Sequence, residues 1–344
     1  MSGHRLIIGK QSGGYAARHD RSIFRLWSVV LLAVVFCIAS LSDNGPIRSA
    51  FAYTLNGFDL GDALIPEALI KHGGPPRDGI PAIDEPRFLT ASQADHLKPQ
   101  TRVMGIMRNG VAKAYPILIM NWHEIVNDKF ADEPVVVTYC PLCGTGMAFE
   151  ATINNKALTF GVSGLLYNSD VLLYDRQTES LWSQLMVKSV AGPMKTTPLK
   201  SVVMAHTSWE DWLNRHPDTL VLSSETGHQR DYQRNPYQGY EDTKTVMFAV
   251  RHASERFHPK ELVLGLVGGK EQMAWPFSQL RQAGIAGKPV HFIYDDQPMT
   301  VEYNDKHKTA RLLDSTGTEV PTVISFWFAW YAFYPETRIY EASQ

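Results

Sequence analysis

The fold is decided by LKPQTRVMGI at residues 97–106 and by FHPKELVLGL at residues 257–266, which match each other without a gap. The match continues into AYPI at residues 114–117 and AWPF at residues 274–277. Each copy predicts a β-hairpin that leads through an aromatic-proline pair into a helix, because proline favours the first positions of a helix. The two copies indicate an internal duplication.

The fold class follows from this repeat and from the segments around it. The duplicated units cover about residues 97–160 and 257–310. Short apolar runs alternate with turn sequences, a pattern typical of strands. Helical patterns are fewer, and we predict them at residues 117–127, 208–215 and 323–334. The sequence therefore predicts an α+β, strand-rich fold with two related β-hairpin/helix units.

Composition excludes several classes of protein. The chain has 344 residues, of which 44% are hydrophobic and 20% charged, as in an ordinary globular protein with a sizeable core. The formal net charge is -2, and no basic cluster follows the first 25 residues. We therefore expect neither a disordered chain nor a nucleic-acid-binding surface.

The N-terminus has the pattern of an export signal. Residues 1–22 form a basic segment, and residues 23–42 contain the uncharged run LWSVVLLAVVFCIASL. A basic flank before an apolar run marks a signal peptide or a membrane anchor whose basic side stays in the cytoplasm. Ala52 ends a small-x-small sequence that suits cleavage, and an uncleaved segment would attach the protein to the membrane. Both alternatives predict an exported protein, periplasmic or extracellular.

Two regions follow the export signal. Residues 43–96 are rich in Pro, Gly and Asp, and this composition predicts a loop-rich lead-in. Residues 97–344 form the predicted exported core domain. The aromatic residues 326–334 are too few to cross a bilayer, so we expect them to form a helix in the core.

The core domain contains two cysteines, and their flanking residues favour a metal site. Pro141 follows Cys140, and Gly144 follows Cys143. This order is typical of a knuckle turn that directs backbone N–H groups at two thiolates. A thiol–disulfide oxidoreductase usually has its first cysteine at a helix N-terminus, whereas this pair lies between two strand-like runs. The redox enzyme and a structural disulfide in a ligand-binding module stay open as alternatives.

A knuckle supplies two ligands, so a tetrahedral site needs others. His123 is the nearest candidate, because it precedes the knuckle strand and has no counterpart in the second repeat unit. Glu124 follows it, as a candidate hydrogen-bond partner of a metal ligand, a general base or a simply solvated side chain. Met147 is a weaker candidate, whose thioether would favour copper. Thiolates with imidazole suit copper or zinc.

A second polar segment follows the cysteine turn. Asp175 and Arg176 begin a run of charged and polar residues that ends at Gln184. Such a run can line a cleft, although its composition favours a salt-bridged turn. We retain Asp175 and Arg176 as candidate cleft residues.

Five ordered motifs resemble the prokaryotic family called domain of unknown function 3179, from about residue 80 to the C-terminal aromatic segment. They are His123-Glu124-Ile125-Val126-Asn127-Asp128, Thr138-Tyr139-Cys140-Pro141-Leu142-Cys143-Gly144-Thr145, Phe160-Gly161-Val162-Ser163-Gly164-Leu165-Leu166-Tyr167 with Ser169, Tyr174-Asp175-Arg176-Gln177-Thr178 and Leu181-Trp182-Ser183-Gln184. The resemblance implies a mostly exported set of proteins and supplies no activity. Its motifs include the cysteine turn and the His-Glu pair.

The functional prediction is an exported protein that binds a thiophilic metal ion, copper or zinc, through Cys140, Cys143 and His123. The alternatives are a periplasmic thiol–disulfide oxidoreductase and a non-catalytic ligand-binding module. The sequence does not decide whether the protein is an enzyme, and it identifies no partner beyond a membrane reached through an uncleaved N-terminal segment.

Overall fold

The computed structural model describes residues 53–268, 271–283 and 289–342. The predicted basic segment at residues 1–22 and the signal or anchor at residues 23–42 lie outside the described residues. Of the structure, 40% is strand and 12% is helix, which confirms the strand-rich prediction. Within the described part of the chain, every helix is too short to span an apolar bilayer.

The strands are β1 Thr54–Leu55, β2 Phe58–Asp59, β3 Ile70–His72, β4 Phe88–Thr90, β5 Arg102–Arg108, β6 Val111–Pro116, β7 Ile125–Phe130, β8 Glu133–Cys140, β9 Thr145–Glu150, β10 Thr152–Ile153, β11 Lys156–Ala157, β12 Phe160–Tyr167, β13 Asp170–Asp175, β14 Leu181–Ser183, β15 Lys188–Ala191, β16 Ser201–Val202, β17 Ala205–Ser208, β18 Leu220–Leu222, β19 Leu262–Leu266, β20 Met273–Pro276, β21 Val290–Tyr294, β22 Gln297–Asn304, β23 Thr309–Leu313, β24 Glu319–Val320, β25 Val323–Phe326 and β26 Arg338–Ile339. The helices are α1 Ile117–His123, α2 Trp209–Arg215, α3 Phe277–Gln282 and α4 Trp327–Phe333.

Four larger sheets contain most of these strands. The largest has eight strands, in the order β26-β20-β19-β25-β9-β8-β7, with β16 paired to β9. One five-stranded sheet has the order β17-β5-β6-β18-β4, and another has the order β15-β14-β13-β12-β3. A four-stranded sheet, β21-β22-β23-β24, follows α3 in the chain. The cysteine turn joins β8 to β9 and therefore belongs to the largest sheet.

Both segments that match in sequence form a hairpin followed by a helix. In β5–β6, Gly105 pairs with Ala114, and in β19–β20 Gly265 pairs with Ala274. The helices α1 and α3 begin immediately after the proline that ends each hairpin. The hairpins and the starts of both helices are as predicted.

A strand-helix-strand segment flanks each hairpin in the same way. The strand β17 pairs antiparallel with β5, and β18 pairs parallel with β6. Likewise β25 pairs antiparallel with β19, and β26 pairs parallel with β20. In each case a tryptophan ring fills the space over a strand glycine, and its N–H donates to a threonine seven residues after the tryptophan. Trp212 packs over Gly105 and donates to Thr219 (2.8 Å). Trp330 packs over Gly265 and donates to Thr337 (3.1 Å).

This second correspondence has its own sequence signal, outside the two segments that match without a gap. Residues 209–219 read WEDWLNRHPDT and residues 327–337 read WFAWYAFYPET. Two tryptophans, a proline and a threonine share the same spacing. The aromatic composition of the second copy conceals the likeness, because only these few positions are shared.

Two helix predictions were wrong at one end. The helix predicted over residues 117–127 ends at His123, because Glu124 has a left-handed backbone (φ 58°) and Ile125 begins β7. The helix predicted over residues 323–334 begins at Trp327, because residues 323–326 pair with β19 as strand β25. In both cases, residues predicted to be helical form part of a strand that is stabilised by long-range pairing.

The lead-in before residue 97 packs into the fold from residue 53 onward. Its regular elements are short strands and two 3₁₀ turns. Phe58, Leu60 and Ile70 are buried in a cluster with residues of β12 to β15. The strand β3 pairs with β12, which brings this segment alongside the hairpin that carries Asp170.

Candidate metal centre

The cysteine turn is a tight connection between two buried strands. Cys140 ends β8 and pairs with Thr145, the first residue of β9. Gly144 has φ +60°, and a Cβ there would lie 2.9 Å from the Phe326 ring. The Phe326 N–H donates to the Cys143 carbonyl at 2.8 Å, which ties the turn to β25. Glycine is thus required at position 144 both for its backbone conformation and for space.

A third acidic group reaches the thiols from another sheet. The hairpin β12–β13 turns at Asn168 and Ser169, and Asp170 begins β13. Both thiols donate to the Ser169 carbonyl, Cys143 Sγ at 3.3 Å and Cys140 Sγ at 3.8 Å. The two Sγ atoms and a carboxylate oxygen of Asp170 all lie within 4.8 Å of one another and are buried. These three groups can hold a metal ion.

Asp170 is a buried carboxyl with one oxygen that lacks a hydrogen-bond partner, although both thiols and the Val171 N–H lie close enough to lower its pKa. Oδ2 accepts a hydrogen bond from the Leu185 N–H at 3.2 Å, whereas Oδ1 has no partner among the described residues. Burial raises the pKa of this carboxyl to about 7. The hydroxyl of Ser169 and Oε1 of Gln184 are also buried without a partner in the described structure. A bound cation would give the Asp170 oxygen the partner it lacks.

Both thiols are free, and burial raises the pKa of each, that of Cys143 well above its ordinary value. A turnover thiol has the opposite properties, a lowered pKa and access to solvent. The burial and the raised pKa of the two thiols therefore do not support the redox-enzyme alternative. A metal ion stabilises thiolates directly, so burial is compatible with a metal site.

Glu124 follows the end of α1 and interacts with this group through its charge, although it is not one of the three grouped residues. Its N–H donates to the Met120 carbonyl at 2.8 Å, and its carbonyl accepts from the Tyr139 N–H at 2.7 Å. These two bonds fix the backbone of Glu124 beside the C-terminal end of β8. Its carboxyl is buried and has no hydrogen-bond partner in the described structure. Burial, and then the charge of Asp170, raise its pKa to about 8. Glu124 also raises the pKa of Cys140 through its charge.

His123 is not part of the Cys140–Cys143–Asp170 group. Its ring is fully buried, with Nδ1 2.7 Å from the Pro81 carbonyl and Nε2 2.6 Å from the Tyr232 hydroxyl. Burial lowers its pKa to about 4, so the ring is neutral at pH 7. Nδ1 therefore donates to Pro81, and Nε2 accepts from Tyr232. With both nitrogens engaged, the structure gives no support to the prediction that His123 is a ligand.

Asp175 and Arg176 form a salt-bridged turn. Asp175 is fully buried and accepts hydrogen bonds from the Thr178 N–H (2.6 Å) and from Trp182 Nε1 (2.9 Å). Arg176 pairs with Asp84 at 2.6 Å. Their partners are those of a turn, and neither residue belongs to the Cys140–Cys143–Asp170 group.

Met147 packs in the hydrophobic cluster that also contains Cys140 and Cys143. Its carbonyl accepts from Thr138 Oγ1 at 2.9 Å, and Gln184 Nε2 donates to that hydroxyl at 2.8 Å. Gln184 thereby connects β8 to the segment after β14. Asp170 and this role of Gln184 were missed from the sequence, although Ser169 and Gln184 both lie in the motifs quoted for the family resemblance.

Comparison with known protein families matches residues 77–337 to the family described as protein of unknown function (DUF3179). The chain belongs to this family. The matched range includes the candidate ligands Cys140, Cys143 and Asp170, together with Glu124, Ser169 and Gln184. No curated protein and no solved structure matches the chain.

Proposed function

We propose that this DUF3179 protein binds a divalent metal ion through Cys140, Cys143 and Asp170. One observation carries the proposal: two thiols and a carboxylate from different parts of the chain lie within 4.8 Å of one another, and the carboxylate has an oxygen without a partner in the described structure. Three protein ligands leave a position of a tetrahedral site for a further ligand.

Glu124 is our candidate for that fourth ligand. Its buried carboxyl interacts with Asp170 and Cys140, and no hydrogen bond from the described residues stabilises its charge. When ionised, the two thiols and two carboxyls would carry four negative charges. Lys260 is a buried cation whose charge acts on Cys143, but a single lysine does not balance four acidic groups. A divalent cation supplies two of the three positive charges that are still missing.

Zinc fits this ligand set better than copper. Cu(I) prefers thiolate and thioether ligands, whereas zinc accepts cysteine together with aspartate or glutamate. The carboxyl oxygens of Asp170 and Glu124 therefore favour zinc. Met147, the residue that would favour copper, packs in the hydrophobic core.

Elemental analysis after purification from the native host, without added metal, tests the proposal. We expect about one zinc per wild-type chain and a strongly reduced content in Cys140→Ser/Cys143→Ser and in Asp170→Asn. The matched control is Asp175→Asn, since Asp175 is a buried aspartate at the other end of the same strand. It should keep its zinc. Equal zinc content in wild type and the double cysteine variant would refute the proposal.

We also propose that the protein is exported, supported by the basic segment and apolar run at residues 1–42. The expected result of cell fractionation is recovery outside the cytoplasm, with a mature N-terminus after Ala52 if cleavage occurs. Recovery of full-length chain in the cytosol would contradict this part of the proposal.

Finally, we propose that the two hairpin/helix units derive from an internal duplication. The support is their matching strand registers and the two tryptophan–glycine–threonine sets. Under this proposal, the metal-binding turn was acquired in one copy of a scaffold that the other copy retains.

A further inference from the structure

We propose that a cleft beside the cysteine turn binds a small organic molecule bearing an oxyanion, a carboxylate or a phosphate, with Arg102 as its cationic partner. The cleft has a volume of about 470 Å³, in the range of small-molecule sites. Binding at Arg102 requires no metal ion, so this inference goes beyond the proposed metal site and does not depend on it.

The cleft lies where the two hairpin/helix units meet. Arg102 begins β5 in the first unit, and Leu262 begins β19 in the second, and both residues line it. Pro141 and Gly144 of the cysteine turn line it as well. A ligand in this cleft would therefore contact the outer side of the turn that carries both thiols.

Arg102 is a mostly buried cation that forms no salt bridge within the described residues. Its guanidinium donates to the carbonyl oxygens of His206 (3.1 Å), Lys308 (3.0 Å) and His307. Burial lowers its pKa to about 10, and the charges of Glu241 and Asp211 act on it from beyond salt-bridge distance. Glu241 and Asp242 also line the cleft. A guanidinium has five N–H donors, so these contacts leave donors unused. An oxyanion would accept from the free donors and give the buried guanidinium the direct ion pair that it lacks.

His206 supplies a second group without a partner. Its side chain is 6% exposed and lines the cleft, and its Nδ1 has no hydrogen-bond partner among the described residues. Burial lowers the pKa of His206 well below its ordinary value, so the ring is neutral and offers a single N–H donor and a single acceptor. The ring contacts Tyr139 edge-on, with centroids 6.2 Å apart. A polar ligand beside Arg102 would also supply the partner that His206 lacks.

Aromatic side chains give the cleft an apolar wall. Tyr139, Tyr237 and Tyr240 line it. The two later tyrosines belong to a long segment without helix or strand between β18 and β19, and Asn235 fixes this segment to α1 by accepting from Asn121 Nδ2 at 2.9 Å. Long structured loops of this kind commonly form ligand sites. The tyrosine rings suit the organic part of a ligand, and Arg102 suits its anionic end.

Calorimetric titration of the purified, chelator-treated protein with inorganic phosphate and with benzoate tests the inference. The variants are Arg102→Gln and Arg102→Lys. Arg108→Gln is the matched control, because Arg108 ends the same strand and pairs with Glu133 and Glu150 instead of lining the cleft. Arg102→Lys keeps the positive charge and some carbonyl contacts, so it provides a folded variant should Arg102→Gln fail to fold.

We expect saturable binding of at least one probe, weakened about tenfold or more in the Arg102 variants and unchanged in Arg108→Gln. Binding of phosphate alone would identify a phosphate ligand, and binding of benzoate alone a carboxylate. The Cys140→Ser/Cys143→Ser variant should still bind the probe, which separates this result from loss of the metal site. Equal affinity in wild type and the folded Arg102 variants, or no saturable binding of either probe, would overturn the inference.

Discussion

Asp170 is held in a place where its negative charge is costly. Its Oδ1 has no partner in the described structure, and the nearby acidic groups are two thiols and Glu124. Residues that serve a binding site often reduce the stability of the empty protein, because the ligand supplies the interactions that the fold leaves unmade. Removing the charge should therefore stabilise the metal-free protein.

At about pH 8 and in the presence of chelator, Asp170→Asn should have a free energy of unfolding at least ~1 kcal/mol higher than wild type. Urea unfolding measures this difference. The pKa of Asp170 rises from 3.8 to about 7 on folding, so its protonated form stabilises the native state below about pH 4 and this contribution disappears as pH rises through 7. The advantage of the variant should therefore shrink towards about pH 4. Parallel stability profiles for the two proteins between these pH values would show that Asp170 is not strained by its charge.

Gly144→Ala should destabilise the protein by about 1 kcal/mol more than Gly110→Ala. Both glycines have positive φ, but an added Cβ at Gly144 would lie 2.9 Å from Phe326, whereas none of the described atoms lies within 4 Å of one at Gly110. Gly144→Ala should also lower the zinc content, because the turn moves away from β25. Chemical unfolding of both variants measures the first effect, and an equal loss in both would mean that the contact with Phe326 can relax.

At the scale of elements, local patterns were predictable and long-range pairing was not. The two hairpins and the starts of α1 and α3 follow from short segments with turn and proline signals. The end of α1 depends on the left-handed backbone of Glu124, which no local sequence pattern predicted. Asp170 joins the thiols because β12 and β13 bring it from another sheet, a placement that depends on tertiary packing. The two cysteines were therefore predictable as candidate ligands, and the carboxyl was not.

Gly105→Ala and Gly265→Ala should each destabilise the protein by about 1–3 kcal/mol. An added Cβ would lie 2.3 Å from Trp212 in the first case and 2.1 Å from Trp330 in the second. Gly61→Ala is the control, because the nearest atom to its added Cβ is an Asp59 side-chain oxygen at 3.4 Å.

A smaller residue at the tryptophan should partly rescue the first variant, so Gly105→Ala/Trp212→Leu should lose less stability than the sum of the two single changes. Thermal unfolding measures both comparisons. Additive losses in this double variant would show that the indole and the glycine are not coupled.

At the scale of the whole molecule, the two hairpin/helix units place the metal site and the cleft next to each other. The turn that carries the thiols joins two strands of the largest sheet, and β25 of the second unit adjoins β9 in that sheet. Arg102 and Leu262 bring both units to the cleft on the outer side of this turn. The fold thus places the candidate metal centre beside a cleft that contains Arg102, although no single unit contains both.

X-ray absorption at the zinc edge, on protein purified from its native host, tests the central claim most directly. We predict two sulfur ligands at about 2.3 Å and oxygen ligands at about 2.0 Å in the wild-type protein, and a strongly weakened zinc edge in Asp170→Asn. A protein without metal, or a zinc shell made of nitrogen alone, would contradict a site built from Cys140, Cys143 and Asp170.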